Sequence, residues 1–146
     1  MPALEITAGN YRLAYDGQTS RCLEGWLFAI ALGDVEVARG GLLSFAPPEA
    51  VGSYYGQPVA FLKRVEGFPG DEVVVTLADT RVNGVVVGTG LALLETIGKT
   101  PAEVERRFTV PEGHLFLMGD TNDSFDGRYW GTVPFDRLIG EAYWIL

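Results

Sequence analysis

Turn-forming residues cut this chain into short apolar pieces, and that limits what it can fold into more than any other feature. The longest wholly apolar run, Trp26 to Leu32, is seven residues, far below the roughly 20 needed to span a bilayer. With 19 glycines and 8 prolines in 146 residues, a long helical bundle is excluded. A 47% hydrophobic content excludes disorder. The length is that of one domain, so the reading is a single β-rich globular unit.

The pieces are placed as follows. Residues 25–32, 35–39, 42–45, 59–65, 73–77, 114–118 and 138–146 read as strands, while residues 1–20 are polar and mixed. Asn83-Gly84 sits between two β-branched runs in 81–87, the strongest short signal for a hairpin. One short helix is predicted over Thr100 to Arg107, where an N-cap residue precedes Pro101, acids come early and arginines late. The fold class is mostly β with one short helix.

Charge and cysteine usage remove several function classes. The formal net charge is −8, and no run of Lys or Arg accompanies the aromatics, so a phosphate backbone would be repelled. A lone cysteine, Cys22, forms no internal disulfide, and one Cys and one His far apart make no closed zinc site. No metal and no cofactor are expected.

Three groups remain that could carry chemistry. Lys63 stands within an apolar strand next to Arg64, and neighbours on a strand point to opposite faces. Either Lys63 snorkels to the surface or pairs with a carboxylate, or it is a desolvated amine able to act as a general base. The segment from Gly119 to Gly131 carries Asp120, Asn122, Asp123, Ser124, Asp126 and Arg128. It reads as an Asx-rich turn with a Ca²⁺ option through Asp120, Asn122 and Asp123, though the twelfth-position glutamate of an EF-hand is missing. Alternatively, Asp126 and Arg128 clamp the loop while Ser124 meets a nearby lysine. Ser20 and Cys22 supply a hydroxyl and a thiol, either of which suits a nucleophile paired with an amine base. His114 reads as a turn residue.

Order and wording sharpen these options. Arg39-Gly-Gly-Leu-Leu-Ser-Phe45, Phe61-Leu-Lys-Arg-Val-Glu-Gly-Phe-Pro-Gly-Asp71, Val82-Asn-Gly84, Gly119-Asp through Arg128-Tyr-Trp-Gly-Thr-Val-Pro134 and Ile139-Gly-Glu-Ala142 resemble, in sequence, the boxes of type I signal peptidases. The short chain looks most like the TraF-type peptidases of conjugative elements. The resemblance covers residues 18–146, taken as the catalytic domain, with 1–17 as a lead-in after a removed or absent membrane anchor.

The resemblance implies a signal-peptidase-like fold of bent antiparallel sheets, Lys63 as general base, Ser124 orienting that lysine, and Asp126 with Arg128 as a structural ion pair. The best register puts Cys22 at the nucleophile position and Ser20 where a hydroxyl helps hold the oxyanion; the rival register makes Ser20 the nucleophile. Glu24 replaces a proline usual in that box, and Gly41 an acid usual after Arg-Gly. The implied activity is cleavage of an exported precursor, pilin or another transfer protein, at a small-residue site on the periplasmic side of the inner membrane, with cyclisation as a further outcome. The competing reading is a non-catalytic domain of the same fold with an assembly role.

Overall fold

The structure, a computed structural model, describes residues 6–16, 18, 21–55 and 59–146. Among these, twelve strands form two antiparallel sheets. The larger runs in the order β1 (Ile6–Ala8), β2 (Tyr11–Tyr15), β3 (Leu27–Leu32), β12 (Leu138–Trp144), β4 (Leu42–Phe45), β5 (Phe61–Gly67), β10 (His114–Met118) and β11 (Val133–Pro134). The smaller has the order β8 (Val85–Thr89), β7 (Asp79–Val82), β6 (Glu72–Val75) and β9 (Arg106–Thr109). Register shifts interrupt the β5–β10, β4–β12 and β7–β8 ladders. Such bulges bend and twist strands, in keeping with the bent sheets expected.

Strand β10 joins the sheets. Side chains alternate across a strand, and here both faces are buried. Leu115 and Leu117 enter one core with Phe45, Phe61 and Val65, whereas Phe116 and Met118 enter another with Val73, Val75 and Val110. That explains why the sequence at 115–118 is apolar throughout rather than alternating. A third core, with Ala14, Phe28, Ile30 and Leu62, lies under the start of the larger sheet.

Several local expectations change. Residues 6–15, read as part of the mixed stretch 1–20 and not as strands, form the β1–β2 hairpin, and β2 pairs along the whole of Tyr11–Tyr15 with β3. Residues 35–39 are not a strand; Val35 and Val37 pack on the core, so their alternation reports burial without a ladder. The helix at 100–107 is a single turn, α2 (Pro101–Val104), whose Glu103 carboxylate accepts from the Thr100 N–H at 2.7 Å and the Thr100 hydroxyl at 3.1 Å. Arg106 and Arg107, read as its last turn, belong to β9 because β6 offers a free edge and Phe108 packs on Phe116. Helical turns α1 (Glu49–Gly52) and α3 (Gly127–Trp130) had no sequence signal. No helix among the described residues is long and apolar enough to cross a membrane.

The β7–β8 hairpin turns at Asn83-Gly84 with φ of 49° and 80°, the left-handed pair that favours this dipeptide. Asn83 also ties the hairpin to the turn after β5: its Nδ2 donates to Asp71 Oδ1 at 2.9 Å. The other Asp71 oxygen accepts from the Phe68 N–H and Arg39 Nη2, both at 2.8 Å. Burial pushes the Asp71 carboxyl up, but the Phe68 N–H, the Asn83 amide and the Arg39 guanidinium outweigh it and hold the group below its ordinary value. The contribution is therefore present above the ordinary carboxylate range and lost as pH falls through the depressed folded value.

Two outcomes follow for the fold. The melting-temperature gap between wild type and Asp71→Asn narrows as thermal scans are taken from about pH 6 to about pH 3. Phe116→Ala, at a wholly buried position in the junction, costs about 3–5 kcal/mol in denaturant unfolding.

Candidate active site

Lys63 is the third residue of β5, a strand paired with both β4 and β10, and stands opposite Leu43 of β4, so the ladder determines where its stem leaves the sheet. It is only 5% exposed. Its Nζ lies 2.8 Å from Ser124 Oγ and 2.9 Å from Cys22 Sγ. Among the described residues its hydrogen-bond partners are thus a hydroxyl and a thiol, not a carboxylate. Arg64, one residue on, leaves the site: its guanidinium grips both oxygens of Asp120 at 2.8 Å and donates to the Gly40 carbonyl at 2.8 Å. The Asp120 carboxylate is thereby used as an anchor, and among the described residues no group of three His, Cys, Asp or Glu could hold a metal ion.

Cys22 stands on the loop between β2 and β3. The Asp16 N–H closes the loop's neck on the Trp26 carbonyl at 2.8 Å. The Asp120 N–H grips the Cys22 carbonyl at 2.6 Å, and Leu23 drops into the core with Phe28 and Leu62. The thiol is therefore held from both sides while remaining partly accessible. Glu24 is exposed. Ser20 lies outside the described residues.

Ser124, 2% exposed, comes from the loop between β10 and α3. An ion pair with almost no solvent contact shapes that loop: Asp126 Oδ2 and Arg128 Nη2 are 2.7 Å apart, at 0% and 1% side-chain exposure. Asp126 also accepts from the Gly119 N–H at 2.8 Å and the Arg128 N–H at 3.1 Å, and Arg128 donates to the Thr121 carbonyl at 2.7 Å. Burial works against the Arg128 charge, but Asp126 outweighs it and holds the guanidinium above its ordinary value. Gly119 leaves room for the assembly, since a Cβ there would collide with Ser124 Oγ and crowd the Cys22 Cβ at 3.0 Å.

These groups open into a cleft of about 160 Å³. Leu23, Phe28, Phe61, Leu62 and Phe125 line it with apolar surface, and Asp16, Gln18, Asp123 and Tyr55 add polar groups. Burial pushes the Tyr55 phenol up, and Cys22 adds to that shift. His114 is not part of the lining; its Nδ1 is 2.9 Å from Thr132 Oγ1.

Asp16 and Tyr55 went unnoticed in the sequence, and Arg106 was read only as part of a helix end. Arg106 ties β9 to the α3 turn by donating to the carbonyls of Arg128 at 3.1 Å and Gly127 at 3.2 Å. No local pattern marks any of the three, because each acquires its place from a segment distant in sequence.

An amine held between a partly exposed thiol and a buried hydroxyl can carry a proton to and from sulfur. Comparison with known proteins gives the family of the chain. The family described as "Signal peptidase, peptidase S26" matches residues 8–146. The probable signal peptidase I-2 of Synechocystis sp. is 35% identical over 106 residues, covering 72% of this chain and 46% of that protein. The plasmid transfer protein TraF of Escherichia coli is 32% identical over 119 residues, covering 70% of this chain and 67% of that protein. A crystal structure of a signal peptidase I from Enterococcus faecalis V583 aligns with a TM-score of 0.49 and 21% identity, over 74% of this chain and 98% of that one. The chain spans about half the length of the two Synechocystis signal peptidases it matches, 46% and 51%. With a match running over nearly its whole length, the chain belongs to the signal peptidase family, peptidase S26.

Proposed function

We propose that this chain is a peptidase that cleaves an exported precursor at a small-residue site through a Cys22–Lys63 dyad. The observation that carries the reading is the pair of contacts from Lys63 Nζ, 2.9 Å to Cys22 Sγ and 2.8 Å to Ser124 Oγ. In the first step the Cys22 Sγ–H proton passes to Nζ while sulfur attacks the scissile carbonyl carbon. The C–N bond then breaks, Nζ returns the proton to the leaving amine, and a thioester remains. Water attacks the thioester carbon as Nζ takes its proton, and the C–S bond breaks to give the free acid and restore the thiol.

A thiol yields its proton more readily than a hydroxyl, so cysteine suits this position. The Cys22 N–H and the Ser20 hydroxyl are assigned to the oxyanion. Ser124 holds the amine in line, and the Asp126–Arg128 pair holds Ser124. Residues 18–146 are taken as the catalytic domain, acting on the periplasmic side of a bacterial inner membrane. The likeness to a plasmid transfer protein supports a substrate among pilins or other conjugative-transfer precursors. The substrate's own amine in place of water at the thioester gives a cyclic product, lighter than the acid by the mass of one water.

Mass spectrometry of a matched precursor peptide tests the dyad. Cys22→Ala and Lys63→Met lower turnover by at least about 10³-fold with the fold intact by circular dichroism, and wild type forms a thioester adduct under acid quench. Activity retained in Cys22→Ala and lost in Ser20→Ala overturns the assignment of the nucleophile, and an inert wild type beside an active Cys22→Ser variant marks the site as retired.

The supporting groups behave differently. Ser124→Ala lowers kcat about 10- to 100-fold and displaces the pH profile, with KM little changed. Asp126→Ala leaves the Arg128 charge buried and unpaired, and costs about 3–5 kcal/mol of folding stability by denaturant titration.

A further inference from the structure

The loop that carries Ser124 runs directly into α3, a single helical turn, and one turn is not stable by itself. Its N-terminal side is held by Asp126, whose Oδ1 accepts from the Arg128 N–H at 3.1 Å. The last carbonyls of a helix find no partner within it, and here an arginine from the smaller sheet supplies donors to two of them. Arg106, the first residue of β9, donates from Nη1 to the Arg128 carbonyl at 3.1 Å and from Nη2 to the Gly127 carbonyl at 3.2 Å. Nη1 also reaches the Val104 carbonyl at 2.9 Å. Burial holds the Arg106 guanidinium below its ordinary value, and no carboxylate among the described residues offsets that. A half-buried cation whose hydrogen bonds all go to backbone carbonyls serves to hold the chain in place. Arg107, next on the same strand, is exposed and comes only within 4.0 Å of Glu72.

From Arg106 the contacts run without a break to the dyad. Arg128, whose carbonyl Arg106 holds, pairs with Asp126 and donates through Nη2 to the Thr121 carbonyl at 2.7 Å. The Thr121 carbonyl also accepts the Ser124 N–H at 3.4 Å, and Ser124 Oγ accepts from Lys63 Nζ at 2.8 Å. Strand β8 of the smaller sheet closes on the same arginine: a Cβ at Gly88 would stand 3.5 Å from Arg128 Nη1 and collide with Met118 Cε at 2.7 Å.

We propose that Arg106 is a positioning residue for the dyad: it fixes the α3 backbone, and through Arg128 and Ser124 it sets where the Lys63 amine stands relative to the Cys22 thiol. The proposal rests on the peptidase reading and gives the smaller sheet a part in the reaction. Nζ has to serve both the thiol and the leaving amine, and a small displacement slows both proton transfers.

The test measures kcat and KM on a matched precursor peptide for wild type, Arg106→Met, Ser124→Ala and the double variant. Arg106→Met, which keeps an apolar stem, is expected to lower kcat about 10-fold with KM little changed. Added to Ser124→Ala it lowers kcat by no more than about twofold further, because both residues act along one line of contacts. Arg106→Lys keeps the charge but not the fork of donors, and recovers part of the loss; Arg107→Ala leaves kcat unchanged. A kcat unaltered in folded Arg106→Met, a change confined to KM, or losses that multiply in the double variant overturn the proposal. Should Arg106→Met fail to fold, Arg106→Lys enters the same cycle with Ser124→Ala.

A second readout needs no turnover. Cys22 is the single cysteine, so its alkylation by iodoacetamide, followed by mass across pH, reports on the thiol beside Lys63. The rate profile is displaced in Arg106→Met in the same direction as in Ser124→Ala, and no further in the double variant. If wild type cleaves nothing while the profile moves in this way, the peptidase reading falls and the positioning role stands. Cleavage by wild type, with neither kcat nor the profile altered in Arg106→Met, removes the positioning role alone.

Discussion

The ion pair between Asp126 and Arg128 is the contact on which the rest of the site depends. Removing two charges from water is costly, and the return comes only when every oxygen and N–H finds a partner. Here Asp126 takes the Arg128 guanidinium together with the Gly119 and Arg128 N–H groups, and Arg128 reaches the Thr121 carbonyl. These bonds draw the end of β10, the following loop and the start of α3 into one arrangement. Ser124 lies within that span, so the conformation of the loop carries it to Lys63, where its hydroxyl accepts from Nζ at 2.8 Å.

The second element of the design is a division of labour between neighbouring cations. Lys63 and Arg64 are adjacent on β5, and the alternation of the strand sends them to different tasks. Lys63 enters a nearly dry position between Cys22 and Ser124. Arg64 holds Asp120, whose N–H in turn holds the Cys22 carbonyl. One residue pair thus supplies both the amine and a tether for the loop that presents the thiol. The central place of β5 between β4 and β10 gives this arrangement a rigid base, which suits a geometry whose tolerance is a fraction of an ångström.

The same backbone positions the cleft. Asp16 closes the neck of the Cys22 loop through its N–H and also lines the cleft, so the residue that shapes the loop borders the site as well. Leu23 anchors the far side of Cys22 in the core shared with Leu62, the residue before Lys63. Apolar packing beneath the thiol and polar contacts around it come from the same few residues.

By itself the sequence determined the class of fold and the chemical inventory. Short apolar runs between turn formers dictated strands, Asn83-Gly84 dictated a hairpin, and the residue types at 20, 22, 63, 124, 126 and 128 supplied candidates for chemistry whose roles came from the resemblance of whole boxes to a known family. Local patterns could carry that much because alternation and turn preferences are properties of a few consecutive residues. Tertiary structure alone decided which residues meet. Cys22 is 41 residues from Lys63, and Ser124 is 61, so no spacing rule could join them; strand pairing from β3 through β12 and β4 to β5 and β10, with the Asp120 N–H on the Cys22 carbonyl, did. It also turned Arg106 and Arg107 from a helix end into β9, denied Val35 and Val37 a ladder, and drew the mixed segment 6–15 into the sheet. In each case a free strand edge or a core position supplied more than local preference could, and an open edge is a feature that only the assembled sheet possesses.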